Sequence, residues 1–225
     1  MCGRFVATTD QEGLVRLFLI DDRQAENLPP SWNVAPTDLV YAVAAHEGRR
    51  VLVSFRWGLV PSWAKDRRVA SRHINARAET VASKPTFASS FKRRRCLVPA
   101  DGFYEWRVGP DGSRTPYFIR RADGTPMAFA GLWASWRGAD DGSRLLSCTI
   151  VTTQAHGKIA ALHERMPVFL EPARFSDWLD RDTDPALLSH LLGSADPEVL
   201  TWQRVSTAVN SVRNNHPDLI APLAT

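Results

Sequence analysis

Two periodicities divide the chain. Between residues 9 and 20, Leu14, Leu17 and Phe18 recur at helical spacing behind Asp10, which predicts an amphipathic helix with an acidic start. Runs rich in β-branched and aromatic residues then predict strands over 39–44, 51–57, 96–99, 103–108, 117–120, 127–133, 145–152 and 168–170. Helical patterns interrupt them at 78–91, 156–162, 174–180 and 185–192. Many strands with a few scattered helices predict an α+β fold, a β-rich mixed sheet or barrel with peripheral helices. No regular β-α-β alternation supports a doubly wound sheet, and no repeat or long Gly/Ser linker divides the chain. We therefore expect one domain over residues 1–225.

Composition narrows the class without changing that picture. The 225 residues are 44% hydrophobic and 23% charged, which is compatible with a substantial core and not with global disorder. The net charge is +4, a mild bias toward a polyanionic partner. Three cysteines, Cys2, Cys96 and Cys148, with no C-x-x-C pair fit neither a disulfide scaffold nor a zinc site. No basic-then-apolar leader and no long apolar run is present, so we expect a soluble cytoplasmic protein with no membrane partner and no metal.

Candidate chemistry starts at Met1-Cys2-Gly3. Methionine before a small residue is a usual substrate for N-terminal trimming, which would leave Cys2 with a free amine beside its thiol. Their unperturbed pKa values, about 7.7–8.0 and about 8.5, give both an accessible nucleophilic form near neutrality. Such an aminothiol converts an aldehyde to an imine and then to a five-membered thiazolidine. An internal cysteine cannot, because its nitrogen is an amide. A cysteine at position 2 also arises by chance, so the rest of the chain must decide.

Four other segments bear on it. In 73–80, Asn75 and Arg77 alternate with Ile74 and Ala76, aiming both polar side chains one way. They suit a phosphate and a polar ligand, or an ordinary strand-to-helix junction capped by Asn75 or Thr80. In 99–106, Asp101-Gly102 reads as a turn between strands, and Glu105 sits between Tyr104 and Trp106. An aromatic setting would raise its pKa and suit acid–base work; the alternative is an exposed strand glutamate. In 161–167, His163 ends a predicted helix ahead of Arg165 and Pro167, as a proton relay or a structural histidine. Finally, the run Lys92–Arg95 beside the Glu105 hairpin, with Arg67, Arg68, Arg72, Trp57 and Trp63, could track and stack single-stranded nucleic acid. A solvated charged face and core tryptophans are the competing reading.

Together, Met1–Phe5, WNVAPT (32–37), WGLVPSW (57–63), NARAET (75–80), CLVPADGFYEW (96–106), IVTT (150–153) and LHERMP (162–167) resemble the SOS response-associated peptidase family. The resemblance runs from Cys2 to about Asn214. It implies a β-rich barrel-like fold with one positively charged groove, and a protein that shields abasic sites in single-stranded DNA. It implies catalytic roles for Cys2, Asn75, Glu105 and His163, and DNA contacts from Arg4, Trp63, Arg77, Thr152 and Arg165. We further expect a monomer that is nucleoid-associated when on DNA, needs no cofactor, and loses Met1 through its own Cys2 or a cellular aminopeptidase. Departures are Val212 where proline is expected and the variable stretch 64–72. Two other classes stay open here: a Cys–His–Asn thiol peptidase acting on other proteins, and a non-covalent single-strand binding module.

Overall fold

The computed structural model describes residues 2–138, 142–193 and 196–223. The chain opens with β1 (Phe5–Ala7), α1 (Gln11–Phe18), β2 (Asp22–Arg23), β3 (Ser31–Val34), β4 (Leu39–His46) and β5 (Arg49–Trp57). After a long excursion come β6 (Asn75–Arg77), α2 (Pro85–Arg93), β7 (Arg95–Ala100), β8 (Gly102–Val108) and β9 (Arg114–Arg121). The remainder is β10 (Met127–Arg137), β11 (Arg144–Gln154), β12 (Arg165–Pro167), β13 (Phe169–Leu170), α3 (Phe175–Leu179), α4 (Pro185–Leu191) and β14 (Leu200–Arg204). The α+β, β-rich expectation holds.

Strands β5, β4, β7, β10 and β11 pair antiparallel in succession. A parallel pairing of Ser147–Cys148 with Arg56–Trp57 then joins β11 to β5 and closes the ring into a barrel. A second, open sheet runs β14-β9-β8-β1-β3. Its Phe5, Phe103 and Ile119 pack with Phe55, Trp57, Val98, Phe129 and Ile150 of the barrel strands in one core. The alternate barrel residues Val43, Leu52, Leu97 and Leu132 pack instead beneath the helices, against Leu14, Phe18, Phe87, Trp178 and Leu188. Barrel strands are thus apolar on both faces, and each large side chain so buried contributes about 1.5–3 kcal/mol.

The excursion after β5 matters for the site. Gly58 has φ 126°, and a Cβ there would lie 2.6 Å from the Ala70 carbonyl oxygen, so only glycine fits the exit. The chain returns when Leu59 N–H donates to the His73 carbonyl at 3.1 Å and Ile150 N–H to that of Ile74 at 3.0 Å. β6 then continues the edge that β5 left, parallel to β11, with Asn75, Ala76 and Arg77 opposite Ile150, Val151 and Thr152.

Several expectations need correction. The helix predicted over 78–91 starts at Pro85; residues 78–84 are turns, because proline disfavours helical backbone at the residue before it. Its N-cap is Lys84, with no side-chain hydrogen bond, so neither Asn75 nor Thr80 caps it. The segment predicted helical over 156–162 is a 3-10 turn, Gly157–Ala161. Asp101-Gly102 is no hairpin turn, since β7 and β8 belong to different sheets. Instead, the Asp101 carboxylate accepts from the backbone and hydroxyls of Thr8 and Thr9, pinning the corner to β1. The run Lys92–Arg95 does not serve the Glu105 region through Arg95. That side chain is buried and donates to carbonyls of Phe91, Lys92, Trp178 and Asp180, capping the ends of α2 and α3.

Candidate active site

The mouth of the barrel gathers four of the residues singled out by sequence. Cys2 lies just before β1, Asn75 opens β6, Glu105 sits in mid β8, and His163 precedes β12. Cys2 is fully buried, and Asn75 Nδ2 donates to its carbonyl oxygen at 2.8 Å. Asn75 Oδ1 is buried with no hydrogen-bond partner among the described residues. A buried acceptor left unpaired costs about 1–3 kcal/mol, so this oxygen is disposed to receive a donor.

Glu105 is 2% exposed, which overturns the reading of an exposed strand glutamate. Burial pushes its carboxyl above the usual range, with His163 opposing the shift. It therefore retains a proton more readily than an ordinary glutamate. Burial also pushes the Cys2 thiol up, and the negative charge of Glu105 adds to that effect. His163 Nε2 stands 3.8 Å from Glu105 Oε2. Its Nδ1 lies 2.9 Å from the Arg165 backbone nitrogen and 3.2 Å from the Arg165 carbonyl oxygen, so the backbone of Arg165 holds the ring in either tautomer.

Beside this pocket, a groove of about 570 Å³ is lined by Arg72, Ile74, Asn75, Arg77, Thr80, Ser83, Lys84 and Phe87. Arg77 is exposed on β6, two residues beyond Asn75. Trp63 is 64% exposed on the excursion, whereas Trp57 is buried and donates Nε1–H to the Ile74 carbonyl at 2.9 Å. One of the two flanking tryptophans is thus available for stacking and the other is core.

The remaining residues expected on the DNA path are engaged within the protein. Arg4 donates to Asn33 Oδ1 at 2.8 Å and to the Val209 carbonyl at 2.9 Å. Thr152 is fully buried, and its carbonyl accepts from Arg165 Nη2 at 2.6 Å. The Arg165 guanidinium also forks onto Glu79 at 2.7 and 3.0 Å. Val212 is exposed on the C-terminal segment.

Sequence reading missed two groups. Lys84 and Phe87 complete the groove; the basic residue just before Pro85 was the available signal. Asn33, inside the WNVAPT stretch, is 3% exposed. Its Nδ2 donates to the carbonyls of Val209, Ser211 and Asn214 and so fastens the C-terminal segment, a contact between positions too distant for any local pattern to reveal. Among the described residues, no three His, Cys, Asp or Glu side chains gather so as to hold a metal ion. No helix of the described residues is long and apolar enough to cross a membrane.

The chain is similar in sequence and in fold to known proteins. The model of one protein family, SOS response associated peptidase (SRAP), matches residues 1–212. The abasic site processing protein YoqW of Bacillus subtilis is 38% identical over 222 residues, covering 98% of this chain and 99% of that protein. The abasic site processing protein HMCES of Mus musculus is 31% identical, covering 99% of this chain and 76% of the mouse protein. A crystal structure of a Bacteroides thetaiotaomicron protein superimposes with a TM-score of 0.87 over 99% of this chain and 100% of that one; at 22% identity it bears on the fold alone.

Proposed function

Because the chain belongs to the SOS response associated peptidase (SRAP) family, we propose that it captures the aldehyde of an abasic site in single-stranded DNA on Cys2. Relatives named abasic site processing proteins support the substrate class. The observation that carries the chemistry is the convergence of Cys2, Asn75 and Glu105: a cysteine held through its backbone by Asn75, beside a carboxyl whose burial favours its protonated form.

The reaction requires hydrolysis of the Met1–Cys2 peptide bond, since in the full chain the Cys2 nitrogen is an amide. Single-stranded DNA lies along the groove of Arg72, Arg77 and Lys84, with Trp63 stacking on a base. Glu105 gives a proton to the ring oxygen of the abasic sugar, the ring C–O bond breaks, and the anomeric hydroxyl passes its proton to solvent water to leave the aldehyde. The Cys2 amine adds to that carbon, and water leaves to form the imine. The thiol sulfur then bonds to the same carbon while its proton passes to nitrogen, closing the thiazolidine. Asn75 fixes the Cys2 backbone, and its Oδ1, without a partner among the described residues, accepts from the new amine or from a sugar hydroxyl. His163 orients Glu105 and steadies charge on the opened sugar. The covalent product shields the lesion from strand cleavage, and Glu105 serves the reverse proton transfers when the link is released.

A thiol peptidase reading fits the same residues less well. Such an enzyme needs a thiolate stabilised by an adjacent cation. Here burial and a neighbouring carboxylate favour the protonated thiol.

The test is a denaturing gel of the processed protein with single-stranded DNA carrying an abasic site. Wild type should give a shifted covalent band. Cys2→Ala should give none, and neither should a variant with an uncleavable extension before Cys2. Absence of the wild-type band, or its persistence in Cys2→Ala, sinks the proposal. Crosslinking lost but peptide hydrolysis retained in the extended variant would favour the peptidase.

A further inference from the structure

Trp63 is presented by a turn. Ala64 N–H donates to the Pro61 carbonyl at 2.9 Å, closing the four residues Pro61 to Ala64 with Trp63 in third place. Pro61 is buried, while Ser62 and Trp63 are exposed. An exposed ring gains little from stacking if its own backbone must first be ordered, because that ordering cost is subtracted from the binding energy. The contacts that hold this turn therefore govern how well Trp63 can bind a base.

One hold comes from β10. Trp136 is 7% exposed and packs with Val60 and Ala70, which lie on either side of the turn along the chain. It stands opposite Leu145 of β11, which joins the same cluster. Its Nε1–H donates to the Ala64 carbonyl at 2.7 Å. Ala64 thus closes the turn with its N–H and fastens it to the barrel with its carbonyl. The two partners are unequally placed. Ala64 is half-buried, so its carbonyl can turn to water if the loop lifts. The indole N–H sits among buried side chains and would be left without a partner, which disfavours lifting. Phenylalanine at 136 would fill the same cluster but carry no donor, and that penalty would vanish.

We propose that Trp136 is a positioning residue for DNA binding: it docks the Pro61 to Ala64 turn on the barrel and so preorganises Trp63 for stacking on an unpaired base. The inference rests on the reading above that Trp63 stacks on single-stranded DNA, and not on covalent capture by Cys2. Because Trp136 acts through Trp63, its loss can lower affinity by no more than the loss of Trp63 itself.

The experiment uses the processed protein as wild type, Trp136→Phe, Trp63→Ala and the double variant. Ala64→Pro, alone and with Trp63→Ala, is a second route that leaves the core untouched; proline removes the N–H that closes the turn and disfavours the turn backbone at Trp63. Three quantities are read: hydrogen exchange without DNA, affinity for lesion-free single-stranded DNA, and crosslinking rate at saturating abasic DNA. In Trp136→Phe the Ala64 amide should exchange about tenfold faster, the value of one hydrogen bond, while amides of β10 and β11 keep their protection. Affinity should fall about threefold as the competent fraction drops, against about tenfold for Trp63→Ala. In the Trp63→Ala background, Trp136→Phe and Ala64→Pro should each cause no further loss. The saturated crosslinking rate of Trp136→Phe should match wild type. Equal losses with and without Trp63 would mark a general scaffold defect and overturn the proposal. So would an unchanged Ala64 amide, a loss larger than that of Trp63→Ala, or a Trp63→Ala variant that binds as wild type does. If Trp136→Phe does not fold, the coupling between Ala64→Pro and Trp63→Ala decides. If wild type forms no crosslink, covalent capture falls, and exchange and affinity still decide the role of Trp136.

Discussion

Asn75 and Arg77 are two residues apart on one short strand, yet they serve surfaces with different physics. Asn75 is half-buried, touches Cys2, and carries a buried oxygen with no hydrogen-bond partner among the described residues. Arg77 is exposed and lines an open basic groove with Arg72 and Lys84. In the pocket, low polarizability makes each hydrogen bond and charge strong and each misplacement costly. In the groove, charges are solvated and act collectively, so any one of them is weak and salt-sensitive. Altering the pocket should therefore change rates with little effect on affinity, and altering the groove should do the reverse.

The largest effect expected is that of Glu105→Gln. Loss of the proton mover should slow crosslinking by about a hundredfold or more, with lesion-free DNA binding unchanged. An equal fall in affinity would break the division between pocket and groove. The same variant gives a stability signature. Glu105 has a folded-state pKa raised by burial, so the native state binds its proton more tightly than the unfolded chain. That contribution is fully present below the unfolded carboxyl pKa and is lost as pH rises through the folded value. Wild type should thus lose thermal stability with rising pH across that window relative to Glu105→Gln. Parallel Tm–pH curves would show that the carboxyl is not perturbed.

Asn33→Ala comes next. It removes an amide that donates to three carbonyls of the C-terminal segment and accepts from Arg4. The expected loss is about 2 kcal/mol in denaturant unfolding, because buried partners are left unsatisfied. Val205, Val209 and Leu219 pack against Tyr104 and Phe118 on the outer side of the second sheet, so loosening this cover should reach the pocket before the groove. Crosslinking should slow more than binding weakens; a variant that binds DNA poorly but reacts at the wild-type rate once saturated would reverse that ordering.

This cover also explains what sequence could and could not reveal. The α1 helix was legible because Asp10 caps it and Leu14 and Phe18 repeat on its buried side. The long strands were legible from their β-branched and aromatic runs. The burial of Glu105 was not, since alternation beside Tyr104 and Trp106 reads as an outward-facing glutamate. In the fold both faces of β8 are covered, one by the barrel through Phe103 and one by the C-terminal segment through Tyr104. The barrel closure was equally hidden, because it rests on a parallel pairing between Arg56–Trp57 and Ser147–Cys148, far apart in the chain. Cys2, Asn75 and His163 stood out in their own segments and took catalytic roles from the family resemblance, while their meeting depends on those long-range pairings. Arg4, Thr152 and Arg165 also have partners within the protein, which residue type alone does not disclose.

In the groove, Trp63→Ala should weaken lesion-free single-strand binding by about 1–2 kcal/mol, the value of one stacked base. Its 64% exposure leaves room for such stacking and makes a folding defect small. Crosslinking at saturating DNA should be unchanged. A lowered saturated rate would mean that Trp63 also orders the lesion within the pocket, which would blur the boundary drawn at β6.

Arg77→Gln is the finest probe of that boundary. Its side chain carries one charge beside the pocket, and Asn75 on the same strand must stay where it is. If Arg77 makes one phosphate contact, the slope of log affinity against log salt should flatten by about 0.7, the single-strand value for one released counterion. Affinity should fall most at low salt and converge with wild type as salt rises, because screening removes the same interaction in both proteins. The saturated crosslinking rate should hold at every salt concentration, since no pocket group is altered. A rate defect that persists at high salt would instead show that Arg77 acts on the reacting sugar, placing the edge of the pocket two residues further along the strand.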